Sequence, residues 1–355
     1  MRSPAEQHLG SVACLGEALV LLPALPDEAD TRSPATDAPV GPPVAGTLAG
    51  AEANVAAALA AMGVPASWIG RLGADWLGDL LYADLKRHGV DVSAVQRDPD
   101  RPTGSYAKLV ERDEHGEPST RVRYRRASSA ASAMGPELLD EPHVDAVLSR
   151  ATVIHTSGIN PALSASCAQL MRALLHRARE WDAQICFDVN WREQLWPGGD
   201  PSTVVELAGL ADTVLVGADE AIRVFGTDDP TSLRAMLPGP ELLIVKDGAR
   251  RAVAVARDGT VVEEPALSVE VVEPVGAGDA FAAGFLAGRV RGEETRRCLR
   301  RGHLSAAVVL TVTGDSAAAD LAGVQHLLNA TPAEWAAAIV TASGVTTRTP
   351  DGADR

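Results

Sequence analysis

Short apolar runs that alternate with helical stretches constrain the fold of this chain more than any other feature of its sequence. Four such runs lie in Ala151–Gly158, Ala183–Asn190, Thr213–Glu220 and Glu241–Gly248. Their apolar residues follow one another directly, which is typical of strands buried on both faces. Strands of this kind in alternation with helices predict an α/β fold with a mostly parallel sheet covered on both sides.

Polar side chains lie at or just beyond the ends of these runs. Asp188, Asn190, Glu220 and Lys246 all occupy such positions. Because open parallel sheets bind ligands beyond the carboxyl ends of their strands, we expect these residues to share one site.

Two further segments predict a small sheet or flap outside the main fold. Val12–Pro23 and Thr103–Arg126 alternate in polarity like antiparallel strands, the second around a DEHGEP turn. We expect one domain over residues 10–330 that includes these flap strands. Residues 1–9, the Pro-rich segment Pro26–Pro43 and residues 343–355 are expected to be disordered.

Charge and composition exclude several classes of protein. The chain has 355 residues and a formal net charge of −15, which argues against nucleic-acid binding. No apolar run is long enough for a membrane helix, and the first residues lack the apolar core of a signal peptide. The four cysteines are scattered, as in a cytosolic protein with reduced thiols, so we expect a cytoplasmic location. The run Arg121–Arg126 reverses the charge locally and could hold a small anion.

The stretch VVEPVGAGDAFAAGF, Val271–Phe285, combines a glycine turn with a carboxylate at the start of a predicted helix. Glycines allow close approach of a ligand, and the free N–H groups of a helix start attract an anion. Asp279 could therefore act next to a bound anion, or it could simply charge the helix N-terminus. The stretch matches neither a Walker A loop nor a complete dinucleotide fingerprint.

Three motifs together resemble the PfkB (ribokinase-like) carbohydrate kinases. They are AGAEANVAAALAAMG (Ala49–Gly63), IGRLGADWLGD (Ile69–Asp79) and GAGDAFAAGF (Gly276–Phe285), and the resemblance extends from about Val12 to Leu328. It implies a three-layer αβα sandwich with a small β-sheet lid. It also implies transfer of the ATP γ-phosphate to a sugar with the help of Mg²⁺. The exposed strand edges of the flap indicate pairing with a second subunit, so we expect a homodimer.

The resemblance assigns roles to particular residues. Asp279 would be the general base, and Gly276, Ala277 and Gly278 would form the anion hole for the transferred phosphoryl group. Glu220 would reach Mg²⁺ through water, although it could equally be a helix N-terminal carboxylate, since Gly217 replaces the usual Asn. The residues implied in nucleotide binding are Asn190, Lys246, Gly248, Gly278 and His303, with Gly314-Asp315 at the edge of the adenine pocket.

Within the family, the stretches TGSYAKLV (Thr103–Val110), YRRASSAAS (Tyr124–Ser132) and FDVNWREQLW (Phe187–Trp196), and Pro274-Val275 ahead of GAGD, resemble the 2-keto-3-deoxygluconate kinases. That similarity implies a sugar-acid substrate, with Arg192 facing its carboxylate. Dependence on K⁺ stays open, because Glu273-Pro274-Val275 replaces an Asp-Thr motif that is common in the family. Two alternatives remain: a kinase for a neutral sugar such as fructose or ribose, and a catalytically silent regulator. The implied substrate-binding residues are Gly50, Asn54, Tyr106, Tyr124, Arg126 and Arg192.

Overall fold

The computed structural model describes residues 10–22, 47–112, 118–312 and 321–347. Its strands are β1 (Val12–Leu15), β2 (Leu19–Leu22), β3 (Thr47–Ala49), β4 (Ala66–Gly73), β5 (Val95–Asp98), β6 (Ser105–Arg112), β7 (Pro118–Arg125), β8 (Val153–Ser157), β9 (Gln184–Asp188), β10 (Thr213–Gly217), β11 (Leu242–Asp247), β12 (Arg251–Ala256), β13 (Val261–Pro265), β14 (Ser268–Val269), β15 (Ala338–Thr341) and β16 (Gly344–Thr347).

The α-helices lie between these strands. They are α1 (Ala51–Ala61), α2 (Trp76–Arg87), α3 (Pro142–Leu148), α4 (Asn160–Leu163), α5 (Ala165–Arg177), α6 (Ser202–Leu210), α7 (Ala218–Phe225), α8 (Pro230–Met236), α9 (Ala277–Arg289), α10 (Thr295–Leu310) and α11 (Pro332–Ala337).

Within the described ranges, nine strands form the main sheet in the order β13-β12-β11-β10-β9-β8-β1-β4-β5. The strands from β11 to β5 run parallel to one another, whereas β12 and β13 are antiparallel additions at one edge. One hydrophobic core joins the sheet to α1, α2, α9 and α10, and a second joins the opposite face to α3 and α5–α8. The predicted three-layer α/β architecture is therefore confirmed.

The strand β1 corrects the predicted extent of the lid. Val12–Leu15 lies in the interior of the main sheet, between β4 and β8, and not in the flap. All four of its residues are buried, which fits a strand covered on both faces rather than an alternating lid strand.

Among the described residues, the lid is a separate sheet in the order β3-β2-β6-β7. β6 and β7 form the antiparallel hairpin, whose connecting residues 113–117 lie outside the described ranges. The strand β3, which sequence reasoning did not identify, pairs with β2 just before α1 begins.

A third sheet corrects the predicted C-terminal boundary and tail. β15 pairs in parallel with β14 and in antiparallel with β16, so residues 344–347 form a strand. Trp335 and Val340 pack with Leu267 and Leu304 in a third core, which extends the folded unit past residue 330.

The remaining order predictions lie outside the described residues. They concern residues 1–9, Pro26–Pro43 and residues 348–355. The prediction that Gly314-Asp315 borders the adenine pocket also falls outside the described residues.

Candidate active site

A cleft of about 120 Å³ lies where the main sheet and the lid meet. It adjoins the carboxyl ends of β1 and β8, which are neighbours in the sheet. At this point the connections that follow the two strands pass to opposite sides of the sheet, and open α/β sheets bind ligands at such a point. All six predicted substrate-binding residues line it together with Asp279 and Asn190: Gly50, Asn54, Tyr106, Tyr124, Arg126 and Arg192.

The glycine turn presents backbone amides at the start of α9. Gly276 adopts a φ of 83°, a left-handed conformation that favours glycine, and α9 begins at the next residue. At Gly278, which is exposed, a Cβ atom would approach only Lys246 Nζ, at 3.9 Å. The turn is thus open to a ligand and has the geometry of a helix-start anion site.

Asp279 lies in the first turn of α9 and faces α1. Its Oδ2 accepts a hydrogen bond from Asn54 Nδ2 at 2.9 Å. Burial raises the pKa of Asp279 to about 6, with the hydrogen bond from Asn54 and the charge of Arg192 opposing the rise. A carboxylate with a pKa close to neutral is better suited to accept a proton than one with ordinary acidity.

Lys246 is paired at the end of β11. Its Nζ lies 2.9 Å from Asp188 Oδ2 and 3.2 Å from Oδ1, at the end of β9. Burial alone would lower the pKa of Lys246, but Asp188 and Glu220 raise it, so the ammonium group stays charged. The predicted convergence of strand ends is therefore observed, with Asp188 as the counter-ion of Lys246.

Two residues of the predicted nucleotide site adopt left-handed backbone conformations. Asn190 has a φ of 38° and Gly248 a φ of 49°. Asn190 is buried, and within the described residues its Oδ1 has no hydrogen-bond partner. This unsatisfied polar atom lies on the cleft and could accept a hydrogen bond from a ligand.

Glu220 serves the start of α7 with one oxygen. Its Oε2 accepts a hydrogen bond from the Gly217 amide at 2.8 Å, while Oε1 lies 3.9 Å from Arg192 Nη1. Burial raises the pKa of Glu220, and Lys246 opposes that rise. Glu220 thus has the helix N-terminal role that the sequence left open, through Oε2. Its Oε1 accepts no hydrogen bond from the described residues and is available to the water of a hydrated metal ion.

The lid contributes an aromatic and cationic wall. Tyr106 on β6 and Tyr124 on β7 stack with ring centroids 5.3 Å apart. Arg126, just beyond β7, lies with its guanidinium 5.3 Å from the Tyr124 ring centre. It also forms an ion pair with the buried carboxylate of Glu17.

His303 lies apart from this cleft and is not among its lining residues. It is 7% exposed, its Nε2 lies 3.1 Å from the Glu264 carbonyl oxygen, and its ring packs edge-on against Phe281. Burial lowers its pKa to about 4. The assignment of His303 to the adenine side of the nucleotide site stays a prediction.

Two buried carboxylates of the cleft were missed by sequence reasoning. Glu17 follows β1, and Glu52 lies in the first turn of α1, where its Oε1 accepts a hydrogen bond from Asn160 Nδ2 at 2.8 Å. Burial raises the pKa of both, that of Glu52 to about 7. The available signal was their position: each directly follows a glycine or small residue at a predicted strand or helix boundary.

A larger cavity of about 370 Å³ lies at the opposite end of the strands. It is lined by residues that precede β9 and β10, including Asp182 and Asp212, and so adjoins their amino ends. The chemistry of the smaller cleft, at the carboxyl ends, identifies it as the candidate active site.

Comparison with known proteins agrees with this geometry. Residues 10–321 match the model of the pfkB family carbohydrate kinases. The chain belongs to the PfkB family. It is therefore a carbohydrate kinase, and the predicted family and enzyme class are confirmed.

Several curated relatives have named activities. A 2-dehydro-3-deoxygalactonokinase of Haloferax volcanii is 35% identical over 285 residues, which cover 79% of this chain and 87% of that protein. A 2-dehydro-3-deoxygluconokinase of Bacillus subtilis is 34% identical, covering 76% and 82%. A fructokinase of Klebsiella pneumoniae is 34% identical over 67% of this chain and 76% of its own.

Solved structures support the fold. A PfkB protein from Polaromonas is 32% identical with a TM-score of 0.69, covering 84% of this chain and 95% of that one. A 2-dehydro-3-deoxygluconokinase of Thermotoga maritima is 21% identical with a TM-score of 0.71, covering 91% and 99%. A fructokinase of Xylella fastidiosa with bound ATP is 25% identical with a TM-score of 0.71, covering 87% and 94%.

Proposed function

We propose that this kinase phosphorylates a sugar acid, most specifically 2-keto-3-deoxygluconate, on its terminal primary hydroxyl. The observation that carries the proposal is the cleft itself. It brings two arginines and two stacked tyrosines from different elements to within reach of Asp279. Guanidinium groups bind carboxylates. In this proposal Asp279, which lines the same cleft, takes the proton from a hydroxyl at the other end of the sugar.

The chemical step is a phosphoryl transfer. The sugar hydroxyl oxygen forms a bond to the γ-phosphorus of ATP, the bond between that phosphorus and the bridging oxygen breaks, and ADP leaves. Asp279 takes the hydroxyl proton, and the amides at Ala277 and Gly278 face the equatorial oxygens. Such transfers depend on positioning and charge stabilisation more than on covalent catalysis.

The residues present fit ATP and Mg²⁺. The open Gly278 turn and the charged Lys246 suit phosphates, and no group of three metal-binding side chains occurs in the described part of the chain. Mg²⁺ usually keeps several waters and binds through phosphates, so the single outer oxygen of Glu220 suffices. When bound, the ion would neutralise charge on the phosphates. Complexes of related folds, such as the Xylella fructokinase with ATP, support this proposal.

The named relatives favour a sugar acid but keep a neutral sugar as the second candidate. Two of the relatives given above, 35% and 34% identical, are named kinases of dehydro-deoxy sugar acids, whereas the Klebsiella relative, also 34% identical but over a smaller share of this chain, is named a fructokinase. Measurement of ADP release across sugars and sugar acids tests the proposal. A clear preference for fructose or ribose over 2-keto-3-deoxygluconate would overturn it.

The variant Arg192→Gln sharpens that test. Arg192 is 53% exposed, so its loss should leave the fold intact. We expect KM to rise about 10- to 100-fold for sugar acids, the range for a lost charge-assisted hydrogen bond, with little change for neutral ketoses. Equal losses for both substrate types would contradict carboxylate recognition by Arg192. Arg172→Gln, which removes another exposed arginine, is the control.

Three further features belong to the same proposal. We expect a homodimer, since β7 is an edge strand of the lid with Val122 and Tyr124 exposed. Light scattering measures the oligomeric state.

No helix among the described residues has the length and hydropathy to cross a membrane. A cytoplasmic location is a separate proposal, which cell fractionation tests. Replacing K⁺ by Na⁺ in the assay tests whether Glu273-Pro274-Val275 still supports a monovalent-cation site.

A further inference from the structure

The buried carboxylate of Glu17 lies where the chain first passes from the main sheet to the lid. Glu17 is between β1 and β2 and is 2% exposed. Its partner Arg126 directly follows β7, where the chain leaves the lid again. The ion pair therefore joins the first and last crossings between the lid and the body.

The other two crossings that the structure describes lie close to Glu17. A Cβ at Gly104, just before β6, would lie 3.1 Å from Glu17 Oε1, and one at Gly50, just after β3, would lie 2.4 Å from the Glu17 carbonyl oxygen. The Ser129 hydroxyl lies 3.5 Å from Glu17 Oε1. Among the described residues, Glu17 thus lies at or next to each crossing between the lid and the body, with its carboxylate near Arg126 and Gly104 and its backbone near Gly50.

The Glu17–Arg126 ion pair also makes the two arginines of the cleft differ in exposure and in charge compensation. Arg126 is 12% exposed, and the carboxylate of Glu17 balances its charge. Arg192 is half-exposed, and its ion pair with Glu220 is longer, at 3.9 Å between Nη1 and Oε1. Glu220 also interacts with Lys246, so its charge is shared between two cations. Of the two arginines that line the cleft in the described residues, Arg192 is the more exposed and the less closely paired.

The geometry points to Glu17 as a positioning residue for sugar recognition. It holds Arg126 in a fixed place against Tyr124 and cancels its charge, so that Arg126 donates hydrogen bonds to sugar oxygens while Arg192 meets the carboxylate. This inference rests on the proposed function, because it divides the recognition of a sugar acid between the two arginines.

A double-mutant cycle tests the inference on the full chain. The variants are Glu17→Gln, Arg126→Gln and the two combined, each assayed for KM and kcat with the best sugar substrate and with ATP. We expect Glu17→Gln to raise the sugar KM about 10-fold, with the ATP KM unchanged and kcat within about 3-fold of the parent. In the Arg126→Gln background, Glu17→Gln should raise the sugar KM no further, because Glu17 acts through Arg126.

Thermal unfolding gives an independent measure of the same pair. Arg126→Gln leaves a buried carboxylate without its counter-ion and should lower Tm by at least about 5 °C, whereas the double variant should recover part of that loss. The matched control is Glu206→Gln, which breaks the exposed pair with Arg172 and should change neither KM nor Tm appreciably.

Equal, multiplicative effects of Glu17→Gln in both backgrounds, or an unchanged sugar KM in the single variant, would overturn the positioning role. If Glu17→Gln fails to fold, Glu17→Asp keeps the charge but withdraws it by one methylene, and a raised sugar KM is again expected. The substrate panel on the unmodified enzyme separates the two proposals. A preference for a neutral sugar refutes the proposed function, and the same cycle run with that sugar still tests Glu17.

Discussion

Replacement of Asp279 by Asn distinguishes a catalytic base from a residue that only charges a helix N-terminus. The amide keeps the size of the side chain, and its oxygen can still accept the hydrogen bond from Asn54 Nδ2 that Asp279 accepts at 2.9 Å. What the substitution removes is the negative charge and the ability to take a proton. The geometry of the cleft should therefore persist while the proton transfer is lost.

The two roles predict opposite effects on stability. A helix-capping charge contributes about 0.3–1 kcal/mol, so its loss would destabilise the protein. In contrast, burial raises the pKa of Asp279 from 3.8 to about 6, which corresponds to at most about 3 kcal/mol of destabilisation at neutral pH, and less because the carboxylate still contacts solvent. Asp279→Asn should thus keep or raise Tm at pH 8 while kcat falls about 10²- to 10⁴-fold.

The assay is steady-state ADP release from pH 5 to pH 9, together with thermal unfolding. In the unmodified enzyme kcat/KM should fall as pH drops through about 6, because Asp279 must be ionised to accept the proton. The control is Asp79→Asn, which removes an exposed first-turn acid from α2. A variant Asp279→Asn with unchanged turnover, or with lower Tm and a turnover loss no larger than that of Asp79→Asn, would refute the assignment as the base.

Two further predictions concern residues that support the cleft. Burial raises the pKa of Glu52 from 4.5 to about 7, so the folded state binds more protons than the unfolded state between these values and stability falls as pH rises through them. Glu52→Gln should therefore raise Tm relative to the parent at pH 8 but not at pH 4.5, and an equal difference at both pH values would contradict this. Gly50→Ala should destabilise the protein by more than about 1 kcal/mol, measured by urea unfolding, because Gly50 has a φ of 112° and a Cβ would lie 2.4 Å from the Glu17 carbonyl oxygen. The same change at Gly209, which has a negative φ and no atom near its Cβ position, is the control, and equal effects at both sites would refute the clash.

The site residues that the sequence predicts are those whose positions follow from the pattern of neighbouring residues in the chain. Apolar runs placed Asp188, Asn190 and Lys246 at strand ends, and the glycine turn placed Asp279 at a helix start. In both cases a residue's role follows from neighbours within a few positions. The structure brings these residues together because parallel strands end on the same edge of the sheet.

The parts that sequence reasoning missed depend on contacts between distant segments. Glu17 and Arg126 are 109 residues apart, and nothing near Glu17 in the sequence indicates that it is buried beside an arginine. The assignment of Val12–Leu15 to the lid was wrong for a related reason. A four-residue run can belong to either sheet, and its neighbours β4 and β8 in the main sheet decide which one.

The third sheet has a consequence for the order in which parts of this enzyme can fold during synthesis. The strand β14 leads directly to the glycine turn, yet its hydrogen-bonded neighbour β15 is about seventy positions later in the chain. During synthesis, the segment before the glycine turn stays without that neighbour until Ala338–Thr341 has left the ribosome. A nascent chain that already carries Asp279, and even the whole family-matched region through residue 321, still lacks the strand that pairs with the segment before its glycine turn.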